Sequence, residues 1–171
     1  MTTVIRDNTT FTGSVIRASR QLLISAASGR AGATAGWAMP SAHSGFTNAG
    51  IAGLPASQTA STFVIPVEGL YVGDTITAFS VVAQIESAGG AVTLDADLRK
   101  LSNAAANATD ASLGAITQVA VSADTAVADS KTLGTAEVVA ADEQYYVVLT
   151  GTTAGATDIQ LLGITVTVTE A

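Results

Sequence analysis

A strict two-residue alternation near the middle of the chain constrains its fold more than any other feature. Val92, Leu94, Ala96 and Leu98 take turns with Thr93, Asp95, Asp97 and Arg99. A helix would scatter those four apolar residues around its circumference, whereas a strand places them all on one face. The stretch is therefore a strand with one dry face and one wet face. Phe79, Val81, Ala83 and Ile85 repeat the pattern opposite Ser80, Gln84 and Glu86, and Leu162, Ile164, Val166 and Val168 repeat it opposite Gly163, Thr165, Thr167 and Thr169.

Turn chemistry separates these runs. Val72-Gly73-Asp74, Gly89-Gly90, Ala141-Asp142-Glu143 and the stretch 151–158 punctuate the chain. Phe63, Ile65 and Val67 form an earlier strand, with Pro66 placing it at an edge or a bulge. Ile116 to Val121, Val127 to Leu133 and Ala136 to Ala140 are weaker strand-like pieces. The Ala/Asn-rich stretch 103–111 is a loop, with a short helical turn as the other reading. Roughly eight such segments between 61 and 171 predict an antiparallel two-sheet β-sandwich, jelly-roll-like first and immunoglobulin-like second. Tyr145 to Thr150 is apolar on both faces, which places it in mid-sheet or at an interface. Tyr145, Val147 and Leu149 are accordingly expected at an oligomer interface.

Residues 1–60 differ in character. Residues 29–60 hold six glycines with Pro40 and Pro55, and their bulky residues are Trp37, Met39 and Phe46. Such composition loses much backbone entropy on folding, so an extended arm ordered by a partner is expected over 1–60, with the sandwich over 61–171. The competing reading gives residues 2–25 to the sandwich as strands. An Arg- and Ser-containing, acid-poor start also fits an organelle transit peptide, but a structural arm is preferred; Leu22-Leu23-Ile24 is too short for a secretory core.

Charge divides at the same place. Residues 1–60 carry four arginines against Asp7, a net +3, and residues 61–171 carry three cations against 13 acids, a net −10. An acidic body repels nucleic acid. The sparse basic stretch suits an acidic protein surface instead, with Arg6, Arg17, Arg20 and Arg30 meeting carboxylates and Trp37 and Phe46 filling apolar pockets.

Chemistry is scarce. With no cysteine and His43 as the sole histidine, thiolate zinc sites and most histidine-based catalysis are excluded. Asp95 and Asp97 share a strand face, but Arg99 follows on that face, and a solvated charged surface is the better reading than a calcium or acid pair. No phosphate-binding loop, dinucleotide motif or nucleophile elbow is present, and no apolar run approaches the length of a membrane-spanning helix. No enzyme, cofactor, metal, nucleic-acid partner or membrane partner is expected.

The run Phe63-Val-Ile-Pro-Val-Glu-Gly-Leu-Tyr-Val-Gly-Asp-Thr-Ile-Thr-Ala-Phe resembles small virion proteins of tailed bacteriophages. Ile85-Glu-Ser-Ala-Gly-Gly-Ala-Val-Thr-Leu-Asp-Ala-Asp-Leu-Arg-Lys and the closing Asp158-Ile-Gln-Leu-Leu-Gly-Ile-Thr-Val-Thr-Val extend the likeness over roughly 61–171. The resemblance implies a capsid decoration (cement) protein on the virion surface. Such a protein is a compact β domain, usually a homotrimer, whose N-terminal arm clamps the major capsid protein, and it has no catalytic residues. Residues 1–60 match no pattern of that family. The alternative is a receptor- or glycan-binding β module of a tail fibre or cell surface. That reading needs an exposed aromatic platform, for which the body offers Phe63, Tyr71, Phe79, Tyr145 and Tyr146.

Overall fold

A computed structural model describes residues 18–39, 51–85, 91–103 and 107–171. Within them the chain forms β1 (Ser19–Ser25), a 3-10 turn (Ala26–Ser28), β2 (Arg30–Ala31), β3 (Ala52–Leu54), β4 (Ser61–Pro66), β5 (Thr75–Ile85), β6 (Val92–Ser102), β7 (Thr109–Ile116), β8 (Val127–Val138), β9 (Glu143–Thr153) and β10 (Ile159–Thr169). The strands make two antiparallel sheets. The first runs β1-β10-β5-β8, with β3 also pairing with β10; the second runs β2-β4-β9-β6-β7. This is the antiparallel β-sandwich that the alternating pattern predicts.

The period-two residues fill the space between the sheets. Leu94 and Leu98 of β6 are fully buried, while Asp95 is exposed and Asp97 partly so. Phe63, Ile65, Val147 and Leu149 complete the inner face of the second sheet, opposite Ile76, Phe79, Val81, Ile164, Val166 and Val168 of the first. Burying a side chain of this size is worth about 1.5–3 kcal/mol, so the two facing rows supply the main driving force for folding.

Four expectations are corrected. Tyr145, Val147 and Leu149 are not surface residues. β9 is the middle strand of the second sheet, and these three point into the core at 5%, 0% and 0% exposure, so they offer a neighbouring subunit nothing. Leu162, expected inward, is only half-buried, because a bulge between Leu161 and Gly163 shifts the register of β10 against β5. Val92, at the start of β6, is likewise only half-buried. The boundary at residue 60 also fails, since β1 pairs with β10 along its whole length, β2 pairs with β4, and β3 pairs with β10.

The crossing from the first sheet to the second explains how a glycine-rich stretch is absorbed. Ser25 caps the 3-10 turn by accepting from the Ala27 amide, and Gly29 donates to the Ala26 carbonyl. A Cβ at Gly29 would stand 2.3 Å from the Phe63 ring, so only glycine lets β2 lie this close to β4. The two weak pieces expected at 127–133 and 136–140 are largely one strand. β8 keeps pairing with β5, but its partners jump from Glu137 to Thr132 between Ile76 and Ala78, which folds Leu133 into the core.

Candidate functional site

The sandwich has two ends. One carries the loop 67–74 between β4 and β5, the turn 139–142 between β8 and β9, and the first residues of β1. The other carries Trp37, the stretch 55–60 and the turn 154–158. The residues expected to act together in docking are divided between them. Arg20 lies at the first end and faces its own fold, donating to Asp74 and to the Gly69 carbonyl and standing 3.4 Å from Glu170. Trp37 lies at the second end, buried against Phe63, with its indole N–H donating to the Ser61 carbonyl at 3.0 Å. Neither side chain is available to a partner. Arg30 is exposed, while Arg6, Arg17, Phe46 and His43 lie outside the described residues.

Asp74 organises the first end. It is 2% exposed and accepts from the Arg20 guanidinium, the Tyr71 amide and the Ala171 amide. Burial alone pushes its carboxyl up, but these donors outweigh burial and hold it below its ordinary value. Gly73, at φ +94°, makes the turn into β5, a conformation that suits glycine. Tyr71 and Val72 stand exposed on this loop, and the Arg20 guanidinium lies 5.2 Å from the Tyr71 ring centre.

A second cluster ties the sheets together nearby. Lys100 of β6 reaches across to Glu137 of β8 at 2.6 Å and pairs with Glu143 of β9 at 3.0 Å. Both carboxylates raise the affinity of Lys100 for its proton. The Tyr145 hydroxyl donates to Glu143, which holds that carboxyl low, with Lys100 adding to the effect.

Beside these groups, an open cleft of about 710 Å³ runs from the end of the sandwich onto the outward face of the second sheet. Pairing register explains its lining. Pro66 of β4 sits opposite Tyr146 of β9, which sits opposite Arg99 of β6, which sits opposite Ser112 of β7. The next row outward is Arg30, Val64, Val148, Asp97 and Ala115. Pro66 and Tyr146 therefore stand side by side in the cleft, with Arg30, Leu70, Leu101 and Gln144 around them.

The Tyr146 side chain is tethered at its hydroxyl to the edge strand β7. Its hydroxyl donates to Asp110 at 2.6 Å, Arg99 Nε donates to the same oxygen at 3.0 Å, and Arg99 Nη1 donates to Asp97 at 2.6 Å. Burial, then the Asp110 carboxylate, keeps the Tyr146 hydroxyl protonated above its ordinary range. The Tyr146 hydroxyl, then Arg99, holds Asp110 low. Arg99 is kept charged by Asp110 and Asp97. Asp97 is thus engaged with Arg99 and Ser112, and Asp95 accepts from the Gln118 amide, which agrees with the charged-face reading of this pair. The sequence offered Tyr146 as a platform aromatic without joining it to Pro66, although one signal was available. Adjacent residues in a strand point to opposite faces, so Tyr145 and Tyr146 could not both be core.

Of the five aromatic residues offered for a platform, Phe63, Phe79 and Tyr145 are in the core, Tyr71 is exposed and Tyr146 is half-buried. Among the described residues there is no group of three or more His, Cys, Asp or Glu that could hold a metal ion, and no helix long and apolar enough to cross a membrane.

No family model and no curated protein matches the chain. Solved structures do. The xylan-binding module CBM15 is similar over 91% of this chain and 99% of its own, at 12% identity and a TM-score of 0.50. The likeness is one of fold. The C-terminal CBM6 of LamC from Zobellia galactanivorans is similar over 88% of this chain and all of its own, at 13% identity and a TM-score of 0.42. The VP2 protein of infectious bursal disease virus is similar over 99% of this chain, at 9% identity and a TM-score of 0.46. This chain spans 36% of that VP2 chain.

Proposed function

We propose that this chain is a structural virion protein, a head decoration protein that binds and stabilises a capsid shell and displays its sandwich outward, without catalytic activity. The resemblance of residues 61–171 to small tailed-phage virion proteins points that way. The observation that carries the reading is the contrast between a self-sufficient acidic sandwich and the basic stretch that leads into it. Residues 18–171 carry five cations and 13 acids, a net −8, whereas residues 1–17 carry Arg6 and Arg17 against Asp7, a net +1. Arg20 and Trp37 are already used by the fold, so docking on the major capsid protein falls to Arg6 and Arg17, with Arg30 and Phe46 as further contacts. Seventeen residues extend to about 56 Å at roughly 3.3 Å each, enough to cross a neighbouring subunit. The trimer expected of such a protein uses outward surfaces and strand edges rather than Tyr145, Val147 and Leu149.

The test is binding of the full chain to undecorated particles, with a cryo-EM map of the decorated shell. Density for a two-sheet domain on the outer surface, anchored by its leading residues, is the expected result. Replacing both Arg6 and Arg17 with Glu should abolish binding without changing the melting temperature. If that variant binds as well as the parent chain, or if the particle carries no such density, the reading fails.

A further inference from the structure

We propose that the cleft beside Tyr146 is a binding site for a neutral oligosaccharide, laid across Pro66 and the Tyr146 ring. This goes beyond the virion reading; Arg30 is the one residue the two share, and the platform itself, Pro66 and Tyr146, belongs to the sandwich alone.

The argument starts from the ring. Tyr146 faces outward, lines the cleft, and is half-buried beside its cross-strand partner Pro66. Its hydroxyl is tied to Asp110, which Arg99 holds in turn. This brace fixes a side chain that the core does not need. A fixed ring loses little rotamer freedom when something packs on it, which is how preorganisation raises affinity. Because the hydroxyl is already committed to Asp110, the ring offers a ligand apolar surface more than hydrogen bonding.

A sugar ring matches such a surface. It presents C–H groups on its flat side and hydroxyls at its rim, so it needs an apolar platform flanked by groups that both donate and accept. Gln144 supplies an amide that does both, Arg30 supplies donors, Ser28 a hydroxyl and Glu143 a carboxylate, all along the same cleft. Arg30 has no carboxylate partner among the described residues and is exposed at the rim. The volume of about 710 Å³ lies within the usual range for ligand clefts, about 300–1,000 Å³.

Charge selects the class of saccharide. The sandwich is acidic overall, while the cleft's charged lining is Arg30 and Glu143, the latter already paired with Lys100. The cleft's own charges balance inside an acidic body, so nothing in it rewards a charged saccharide, and the ligand is neutral. A proline-rich peptide is the nearest rival, but such peptides dock between several aromatic rings, and this cleft exposes one beside a proline.

The test uses the full chain, labelled with ¹⁵N and titrated with cellohexaose, xylohexaose and maltohexaose, and separately with a proline-rich decapeptide. At least one saccharide should shift the amides of Leu101, Gln144 and Tyr146 at millimolar concentration or below. Tyr146→Ala should weaken that binding by about tenfold or more, while Tyr146→Phe, which keeps the ring, should stay within about threefold. Gln144→Ala changes an exposed side chain and serves if Tyr146→Ala unfolds; it should weaken binding by about fivefold. The proposal is overturned if no saccharide shifts these amides, if the variants bind as tightly as the parent chain, or if only the peptide binds.

Discussion

Replacing Asp74 with asparagine should lower the stability of this protein by about 2 kcal/mol at neutral pH, a figure reached by discounting the cost of breaking a buried ion pair. The Tyr71 and Ala171 amides donate to different carboxylate oxygens, so the amide side chain would keep an acceptor for one of them and lose both the other acceptor and the charge that faces Arg20. Removing one partner of a buried ion pair costs about 3–5 kcal/mol when the other is left stranded. Arg20 is 24% exposed and also stands 3.4 Å from Glu170, so water and a second carboxylate reduce that cost. In a chain of this length 1 kcal/mol moves the melting temperature by about 2–4 °C, so the variant should melt about 4–8 °C lower. The effect has a definite pH dependence. Asp74 titrates below its ordinary value of 3.8 in the fold. Its contribution is therefore complete above the unfolded pKa and is lost as pH falls through the lower folded one. Circular dichroism melts at pH 7 should separate the two proteins, and melts at successively lower pH should bring them together. A difference smaller than about 1 °C at pH 7, or one that persists unchanged into strong acid, would refute the assignment of Asp74 as the clamp of this end.

Three further outcomes are expected. Lys100→Met should cost about 1–3 kcal/mol in urea unfolding, because it leaves Glu137 and Glu143 without the cation that joins the two sheets. Gly163→Ala puts a Cβ 2.4 Å from the Ile24 carbonyl oxygen, so β1 must move off β10; amide exchange at Ile24 should accelerate well before the rest of the sandwich opens. Trp37→Ala should cost about 3–5 kcal/mol of stability yet give the same molecular mass as the parent chain by light scattering at temperatures where it stays folded.

Much of the sandwich could be read from local pattern. β6 and β10 alternate cleanly because each has one face in the core and the other outside it, and Leu94, Leu98, Val166 and Val168 sit where their period placed them. The misreadings share a cause, since each depends on a neighbour distant in sequence. The apolar character of Tyr145 to Leu149 left mid-sheet and interface both open, and the pairing of β9 with both β4 and β6 decides for mid-sheet. The bulge that turns Leu162 partly outward is a mismatch between β10 and β5, invisible in β10 alone. β1 and β3 are short and carry little pattern of their own, and β10 supplies the ladder that makes them strands. The candidate cleft was the least legible feature. Pro66, Arg30 and Gln144 come from three separate strands and meet only through register.

The position of Trp37 gives the molecule a built-in optical label for one end of its core. It is the sole tryptophan in the sequence, and it packs against Phe63 at the end opposite the Asp74 clamp. Its emission therefore reports when that end admits water, whereas the Tyr71 loop and the start of β1 are silent in that signal. Far-ultraviolet dichroism, by contrast, averages over every strand. Coincident traces would mean that the two ends open as one cooperative unit, and an emission change that lags would mean that the clamped end frays first.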